Sequence, residues 1–462
     1  MTKSMVDDRD QLTDTVRRNV STQIAVARPI HRTHRRPLSH KQVSRLGRLV
    51  QWAARLRGGG SALPGLVIEK IDPFFLSRVL RTLPEGVVVV TGTNGKTTTT
   101  KMVVDLLRAS GLTVFTNKTG SNFGRGITAS LLDELDQDGV LHADIAVLEL
   151  DEAHAIQFVE HCPPRYALLL NVMRDQLDRF GEIEHTAWLL QKVALATTGG
   201  VVLNRDDALV RRIADELHPA VETRYFGFDS SLRSTFPSDH DLYGTSSSPR
   251  SAAPSARSTD VILSALDDQT ATFAFGKDRQ APVTLRIDGI HNVLNATAAL
   301  SLVHLVLGHR ADDAVLINAL RAVRPAFGRG ESIDVDGDPL EIVLVKNPAG
   351  FRLALKSYAR RRAATMIAIN DSYADSRDVS WLWDVDFRSL DGVAVVAGAR
   401  AYDMALRLKY DGIEVAQVEP SLSKALQQLL GQEGRKRIYC TYTAMRKLRG
   451  MLAQEFDVER IE

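Results

Sequence analysis

The sequence predicts an α/β fold in which a mostly parallel sheet surrounds a phosphate-binding loop, followed by a second, smaller α/β domain. Three observations carry this expectation. Residues 87–97 read Val-Val-Val-Val-Thr-Gly-Thr-Asn-Gly-Lys-Thr, a branched apolar run suited to a strand covered on both faces, leading straight into a glycine turn. From Gly86 onward, short apolar strands alternate with helical segments, the pattern of a parallel sheet with helices on both faces. Beyond a turn-rich stretch at 325–350 the same alternation restarts, as a second domain would.

The elements follow in order. Strand 87–91 feeds a helix over Lys96 to Ser110, and further strands are expected at Thr113 to Thr116, Ile145 to Leu150, Ala167 to Asn171 and Gly200 to Leu203. Ser230 to Ser258 holds ten Ser and three Pro with no apolar period, so 229–260 reads as a flexible insertion. A new pattern starts at Val261, and Gly289-Ile-His-Asn opens an apolar helix. Asp336-Gly337 signals a hairpin turn. Met366 to Asn370 and Val393 to Ala397 read as strands, Tyr402 to Leu408 as a helix, and Trp381 and Trp383 as neighbours on one strand face. The expected organisation is a basic, flexible extension over 1–62, a nucleotide-binding domain over 63–325 and a smaller α/β domain over 326–462.

Composition narrows the class. The chain has 462 residues, 44% hydrophobic and 25% charged, values of a soluble globular protein with more than one core. With only Cys162 and Cys440, no disulfide framework or multi-cysteine metal site is available. No apolar run is expected to approach the roughly 18 to 20 residues needed to cross a bilayer, and no secretion signal is apparent. The net charge of +2 is uneven: residues 1–60 carry thirteen Lys/Arg against four Asp/Glu, +9, which leaves −7 for the rest. Arg35-Arg36 and Arg45 to Arg57 suit a solvated tail followed by one surface helix, or a face that meets anionic headgroups or nucleic acid. They show no pattern of interleaved aromatics, so no nucleic-acid partner is expected.

Chemistry concentrates at the expected strand ends. Gly92, Thr93, Asn94, Gly95, Lys96, Thr97 and Thr98 form a candidate nucleotide cradle, where glycines turn backbone N–H groups toward phosphate and a helix N-terminus adds partial positive charge. Lys96 would reach the β- and γ-phosphates and the Thr97 hydroxyl would meet Mg²⁺. Glu149, closing the third strand within Leu148-Glu-Leu-Asp-Glu152, would share that ion. Asp175-Gln-Leu-Asp178-Arg179 follows the fourth strand, either as a surface salt bridge or as substrate-positioning groups. Cys440 has no adjacent base and reads as packing.

Together Gly92-Thr-Asn-Gly-Lys-Thr97, Leu148-Glu149-Leu150, Asp175-Gln-Leu-Asp-Arg179, Leu203-Asn204-Arg-Asp206-Asp207, His291-Asn292-Val-Leu-Asn295 and Gly328-Arg329-Gly-Glu331 resemble the Mur ligase family of ATP-dependent amide-forming enzymes. The resemblance implies a Mur-ligase-like central domain, a Rossmann-like C-terminal domain, Asn292 and Asn295 near the adenine, and Arg329 near the terminal phosphate. Gln176 stands where ordinary members have His, and Lys192 lies one place from their modified lysine.

Those departures, with Asp375-Ser-Arg-Asp378-Val-Ser-Trp381-Leu-Trp383, look like the branch that forms synthetase subunits of lipid II isoglutaminyl synthases. Membership implies ATP and Mg²⁺ as cofactors, lipid II as a membrane-anchored substrate, and a GatD-like glutaminase partner. The partner's catalytic His would be oriented by Asp378, or failing that Asp375. It also implies work in the cytoplasm, at the inner face of the membrane. The insertion lacks the cysteines of that branch's zinc ribbon, so no zinc is expected. Two other readings stay open: a stand-alone ligase adding an amino acid, and a nucleotide-binding scaffold without chemistry.

Overall fold

The computed structural model describes residues 40–56, 63–117, 124–173, 183–236, 253–267, 269–276, 279–324, 329–358, 361–375 and 377–458. Helices α1 (His40–Leu56), α2 (Leu63–Ile71) and α3 (Phe75–Leu80) lead into β1 (Gly86–Thr91), α4 (Lys96–Ala109), β2 (Val114–Thr116), α5 (Gly124–Glu134), β3 (Ile145–Glu149) and α6 (Glu152–His161). The first sheet continues through β4 (Tyr166–Leu169), α7 (Ile183–Ala196), β5 (Gly200–Asn204), the single turn α8 (Ala208–Arg211) and β6 (Glu222–Phe228). It ends with β7 (Val261–Asp267), β8 (Thr270–Phe275) and β9 (Arg279–Thr284), before α9 (Ile290–Leu307) and α10 (Asp313–Ala322). A second sheet follows: β10 (Arg329–Val335), β11 (Asp338–Leu344), α11 (Pro348–Tyr358), β12 (Ala364–Ala368), β13 (Val393–Ala397), α12 (Ala401–Tyr410), β14 (Val415–Glu419), α13 (Leu422–Leu430), β15 (Lys436–Cys440) and α14 (Tyr442–Leu452).

The valine run explains where β1 lies. Val88 and Val90 face one core cluster and Val87 and Val89 the other, so this strand has no solvent face and needs no polar alternation. The nine-stranded order is β2-β3-β1-β4-β5-β6-β7-β8-β9. β1 pairs in parallel with β3 on one side and β4 on the other. Strand order reverses there, and the carboxyl ends of the strands open a crevice at such a point. Antiparallel β7, β8 and β9 close the far edge.

The second sheet has order β10-β11-β15-β12-β13-β14, parallel except for β10. Asp336 (φ 53°) and Gly337 (φ 90°) sit in the left-handed region between β10 and β11, the tight hairpin their sequence predicts. Among the links between this part and the first, Ile290 N–H donates to Ser357 Oγ at 3.1 Å, Arg361 pairs with Asp288 at 3.2 Å, and Lys356 donates to the Thr235 carbonyl at 3.3 Å.

Several expectations change. The surface helix expected in the basic extension is present as α1, over residues 40–56, but its Val43 is buried in the core. At the start of the 229–260 segment, Phe236 is buried and stacks on Phe228 with centroids 5.0 Å apart, while near its end Asp260 accepts from Tyr225 N–H at 2.9 Å. Composition hid these anchors because one aromatic ring needs no periodicity to pack. Residues 237–252 lie outside the described part. The stretch Ile290–Arg310 is long and apolar enough to cross a membrane, contrary to the expectation that no run approaches that length, but most of it is buried, in the core helix α9.

Trp381 and Trp383 do not share a strand face. They lie on a 3-10 turn, Ser380–Asp384, whose tighter winding sends side chains two apart in different directions. Trp381 packs near Phe351, and Trp383 is half exposed against Tyr410, centroids 5.2 Å apart.

Candidate nucleotide site at the crossover of the first sheet

The loop after β1 is held by the strand beside it. Thr93 N–H donates to the Asn171 carbonyl at 3.0 Å and Asn94 N–H to Asn171 Oδ1 at 2.9 Å, while Asn171 Nδ2 returns a bond to the Asn94 carbonyl at 3.0 Å. Gly92 (φ 135°) and Gly95 (φ 89°) take conformations L side chains rarely adopt. A Cβ at Gly95 would strike Asn295 Oδ1. Gly95 therefore caps α4 with no side chain, leaving the first helical N–H groups directed at the crevice.

Lys96 is not the exposed cation the loop motif suggests. Only 7% of it is exposed; its ammonium donates to the Gly92 carbonyl at 2.6 Å and lies 3.1 Å from both carboxylate oxygens of Glu152. Burial pushes the Glu152 carboxyl up, Lys96 pulls it down, Asp151 pushes it up and Lys346 pulls it down. At the end of β3, the buried Glu149 accepts from Thr97 Oγ1 at 2.9 Å, and its own N–H donates to Asn117 Oδ1 at 2.9 Å. A hydroxyl and a carboxylate thus meet beneath the loop, two hard oxygen donors of the kind Mg²⁺ takes alongside phosphate oxygens.

The structure brings together Gly92, Thr93, Asn94, Gly95, Lys96, Thr97, Thr98, Glu149 and Asn295. Asn292 is fully buried; its Nδ2 donates to the Asp288 carbonyl at 2.6 Å and its Oδ1 accepts from Asn295 at 3.2 Å, so it orients Asn295. Asn204 and Asp207 shape the same crevice: Asn204 donates to the Leu170 carbonyl at 2.8 Å, and Asp207 both caps α8 and accepts from Val172 N–H at 2.7 Å. The side chain of Arg329 and the cluster Asp175, Gln176, Asp178 and Arg179 lie outside the described part. Lys192 is exposed, its ammonium 5.4 Å from the Trp188 ring centre.

Three contributors escaped the sequence reading. Asn171 braces the loop, and Glu152 pairs with Lys96. Asn347, from the segment joining β11 to α11, exchanges amide bonds with Asn94: Asn347 Nδ2 to Asn94 Oδ1 at 3.0 Å and Asn94 Nδ2 to Asn347 Oδ1 at 3.3 Å. The available signals were an amide at the end of a strand, an acidic pair opening a helix, and an Asn-Pro helix start.

The two aspartates of the connection between β12 and β13 differ sharply. Asp375 is 3% exposed and spends its carboxylate on α14, accepting from Thr443 N–H at 2.7 Å and from Thr443 Oγ1. Asp378 is exposed and accepts from Ser380 N–H at 2.8 Å. Cys440 is fully buried, and burial raises its thiol pKa far above the ordinary range, as packing requires.

The sequence matches the Mur ligase middle domain over residues 90–303 and the MurT ligase C-terminal domain over 344–445. It is 29% identical to the MurT subunit of the glutamine-hydrolysing lipid II isoglutaminyl synthase of Streptococcus pneumoniae over 457 residues, covering 91% of this chain and 96% of that protein. To the corresponding subunit of Staphylococcus aureus strain COL it is 26% identical over 445 residues, covering 89% and 97%. Among solved structures, MurF ligase from Thermotoga maritima in complex with ADP superposes with a TM-score of 0.62 at 19% identity, over 83% of each chain. Both halves match in order, the likeness to whole MurT subunits runs nearly end to end, and the chain belongs to the Mur ligase family, in its MurT type.

Proposed function

We propose that this chain is the synthetase subunit of a glutamine-hydrolysing lipid II isoglutaminyl synthase. It amidates the D-glutamate carboxylate of the lipid II stem peptide to D-isoglutamine at the expense of ATP. The observation that carries this is the buried set of Lys96, Thr97 and Glu149 at the crossover of a Mur-type sheet, joined to a MurT-type C-terminal domain.

The chemistry follows from the substrate. A carboxylate is a poor electrophile because its leaving group would be oxide. One carboxylate oxygen therefore attacks the γ-phosphorus and ADP departs; ammonia adds to the acyl carbon, loses a proton, and phosphate leaves. Lys96 and the α4 N-terminus stabilise the charge that develops at the transferring phosphoryl group, where placement and electrostatics supply most of the rate. Thr97 and Glu149 fit Mg²⁺, which when bound would neutralise charge on the β- and γ-phosphates. Asn295, beside Gly95, would face the nucleoside, and Arg329 the terminal phosphate.

The nitrogen would come from a GatD-like glutaminase whose catalytic His is oriented by a carboxylate of this chain. Exposure favours Asp378 for that role, since Asp375 is committed to α14. Trp383, Tyr402, Leu406 and Tyr410 are exposed on the same domain, which supports a protein partner there. The stand-alone ligase reading predicts ATP hydrolysis stimulated by an amino acid with no second protein. Incubating this chain with the glutaminase, lipid II, ATP and glutamine, then weighing the lipid product, tests the proposal. Amidated lipid II appearing only when both proteins are present is the expected result, and an unchanged lipid, or one carrying an added amino acid, rules it out.

A further inference from the structure

The proposed reaction uses Lys96 and leaves its buried partner without a task. Glu152 opens α6 at 3% exposure and holds the Lys96 ammonium with both oxygens at 3.1 Å. A nucleotide that draws this ammonium onto its phosphates strands the carboxylate beside new negative charge in a dry site, which is costly unless another cation takes over. Among the described residues, Lys346 is a second cation whose charge lowers the Glu152 carboxyl. It lies in the segment joining β11 to α11 and immediately precedes Asn347, the residue already bonded to the phosphate loop through Asn94. Asn347 also starts α11, its Oδ1 accepting from Gly350 N–H at 2.8 Å.

We propose that Glu152 is a positioning residue that exchanges Lys96 for Lys346 when a nucleotide fills the loop, so that loading the first domain draws the start of α11 toward the site. The exchange is an ionic hand-over: no bond is made or broken, one carboxylate keeps one lysine partner throughout, and the phosphates gain the other. It rests on the nucleotide reading of the loop and adds the element through which occupancy is sensed. Glu152 touches no reacting atom in this scheme. Its effect is on where Lys96 and α11 stand.

Amide hydrogen exchange on the full chain, with and without Mg²⁺-ATP, separates the two claims. In the wild-type protein ATP should slow exchange both at residues 96–99 and at 350–354, by a factor within the roughly 5- to 150-fold range of ordinary coupling between sites. In Glu152→Gln, protection at 96–99 should persist while protection at 350–354 is lost. Lys346→Met should give the same split, and because Lys346 is only half buried it supplies the readout even where Glu152→Gln folds poorly. Protection of both segments in both variants overturns the hand-over. Loss of protection at 96–99 in Glu152→Gln also overturns it, since Glu152 would then serve nucleotide binding itself. Absence of protection anywhere in the wild-type chain is a different failure, of the nucleotide reading.

Discussion

Replacing Lys96 with alanine should harm both catalysis and stability, and the second effect comes from the structure alone. At 3.1 Å a unit-charge pair in an effective dielectric near 20 attracts with roughly 5 kcal/mol. Much of that offsets desolvation, and breaking one side of a buried pair costs about 3–5 kcal/mol when the remaining ion stays charged. Glu152 has an escape, because burial already pushes its carboxyl up and Lys96 is the strongest influence pulling it down; without Lys96 it takes up a proton. A carboxyl whose folded pKa lies above its unfolded value stabilises the fold below the unfolded value, about 4, and loses that contribution as pH rises through the folded one. Lys96→Ala should therefore match the wild type in stability near pH 4 and fall below it progressively toward pH 8, by about 2–4 kcal/mol. Chemical denaturation across that range is the assay, with amidation measured alongside. Adding Glu152→Gln should recover most of the stability and none of the activity, which drops about 100- to 1,000-fold with loss of the cation. A double variant no more stable than the single one at pH 8, or amidation near the wild-type rate in Lys96→Ala, refutes the reasoning.

Glu149→Ala should raise the Mg²⁺ concentration needed for half-maximal synthesis; an unchanged titration and rate would make Glu149 a helper of Thr97 only. Asp378→Asn should abolish glutamine-driven amidation while ammonium salts still support it, whereas Asp375→Ala should cost about 1–3 kcal/mol of stability through unpaired groups at Thr443; equal loss from both nitrogen sources in Asp378→Asn would place that residue in the synthetase site. Removing residues 238–251 should leave thermal stability and activity nearly intact, while extending the deletion to 232–256 removes Phe236 and the Thr235 carbonyl that holds Lys356 and should lower the melting temperature measurably. Equal stability of the two deletions would show those anchors to be idle.

What the sequence disclosed and what it hid follow from range. The valine run of β1, the Asp336-Gly337 turn and the glycines of the loop are local devices, each set by backbone sterics or burial within a few residues, and each is where the sequence reading put it. The Thr97–Glu149 meeting was also legible, because parallel strands that flank a crossover must present their ends together. The Lys96–Glu152 and Asn94–Asn347 pairs were not. They join residues 56 and 253 positions apart, and nothing in the spacing of either partner names the other. The separate fates of Asp375 and Asp378 turn on three residues of 3-10 turn, Tyr373–Asp375, which fold one carboxylate under α14 and leave the other outside. Trp381 and Trp383 part for the same reason: their alternate spacing suggests a strand where the chain winds into a 3-10 turn.

In the proposed reaction this chain uses ATP to turn a carboxylate into a phosphorylated, ammonia-sensitive acyl group. Lipid II carrying heavy oxygen in the D-glutamate carboxylate, incubated with the chain, Mg²⁺-ATP and ammonium, tests it without the partner. The expected products are ADP and amidated lipid in equal amounts, with one heavy oxygen per amide formed appearing in inorganic phosphate. Amide formed with all label missing from phosphate, or release of AMP and pyrophosphate instead of ADP, would contradict it.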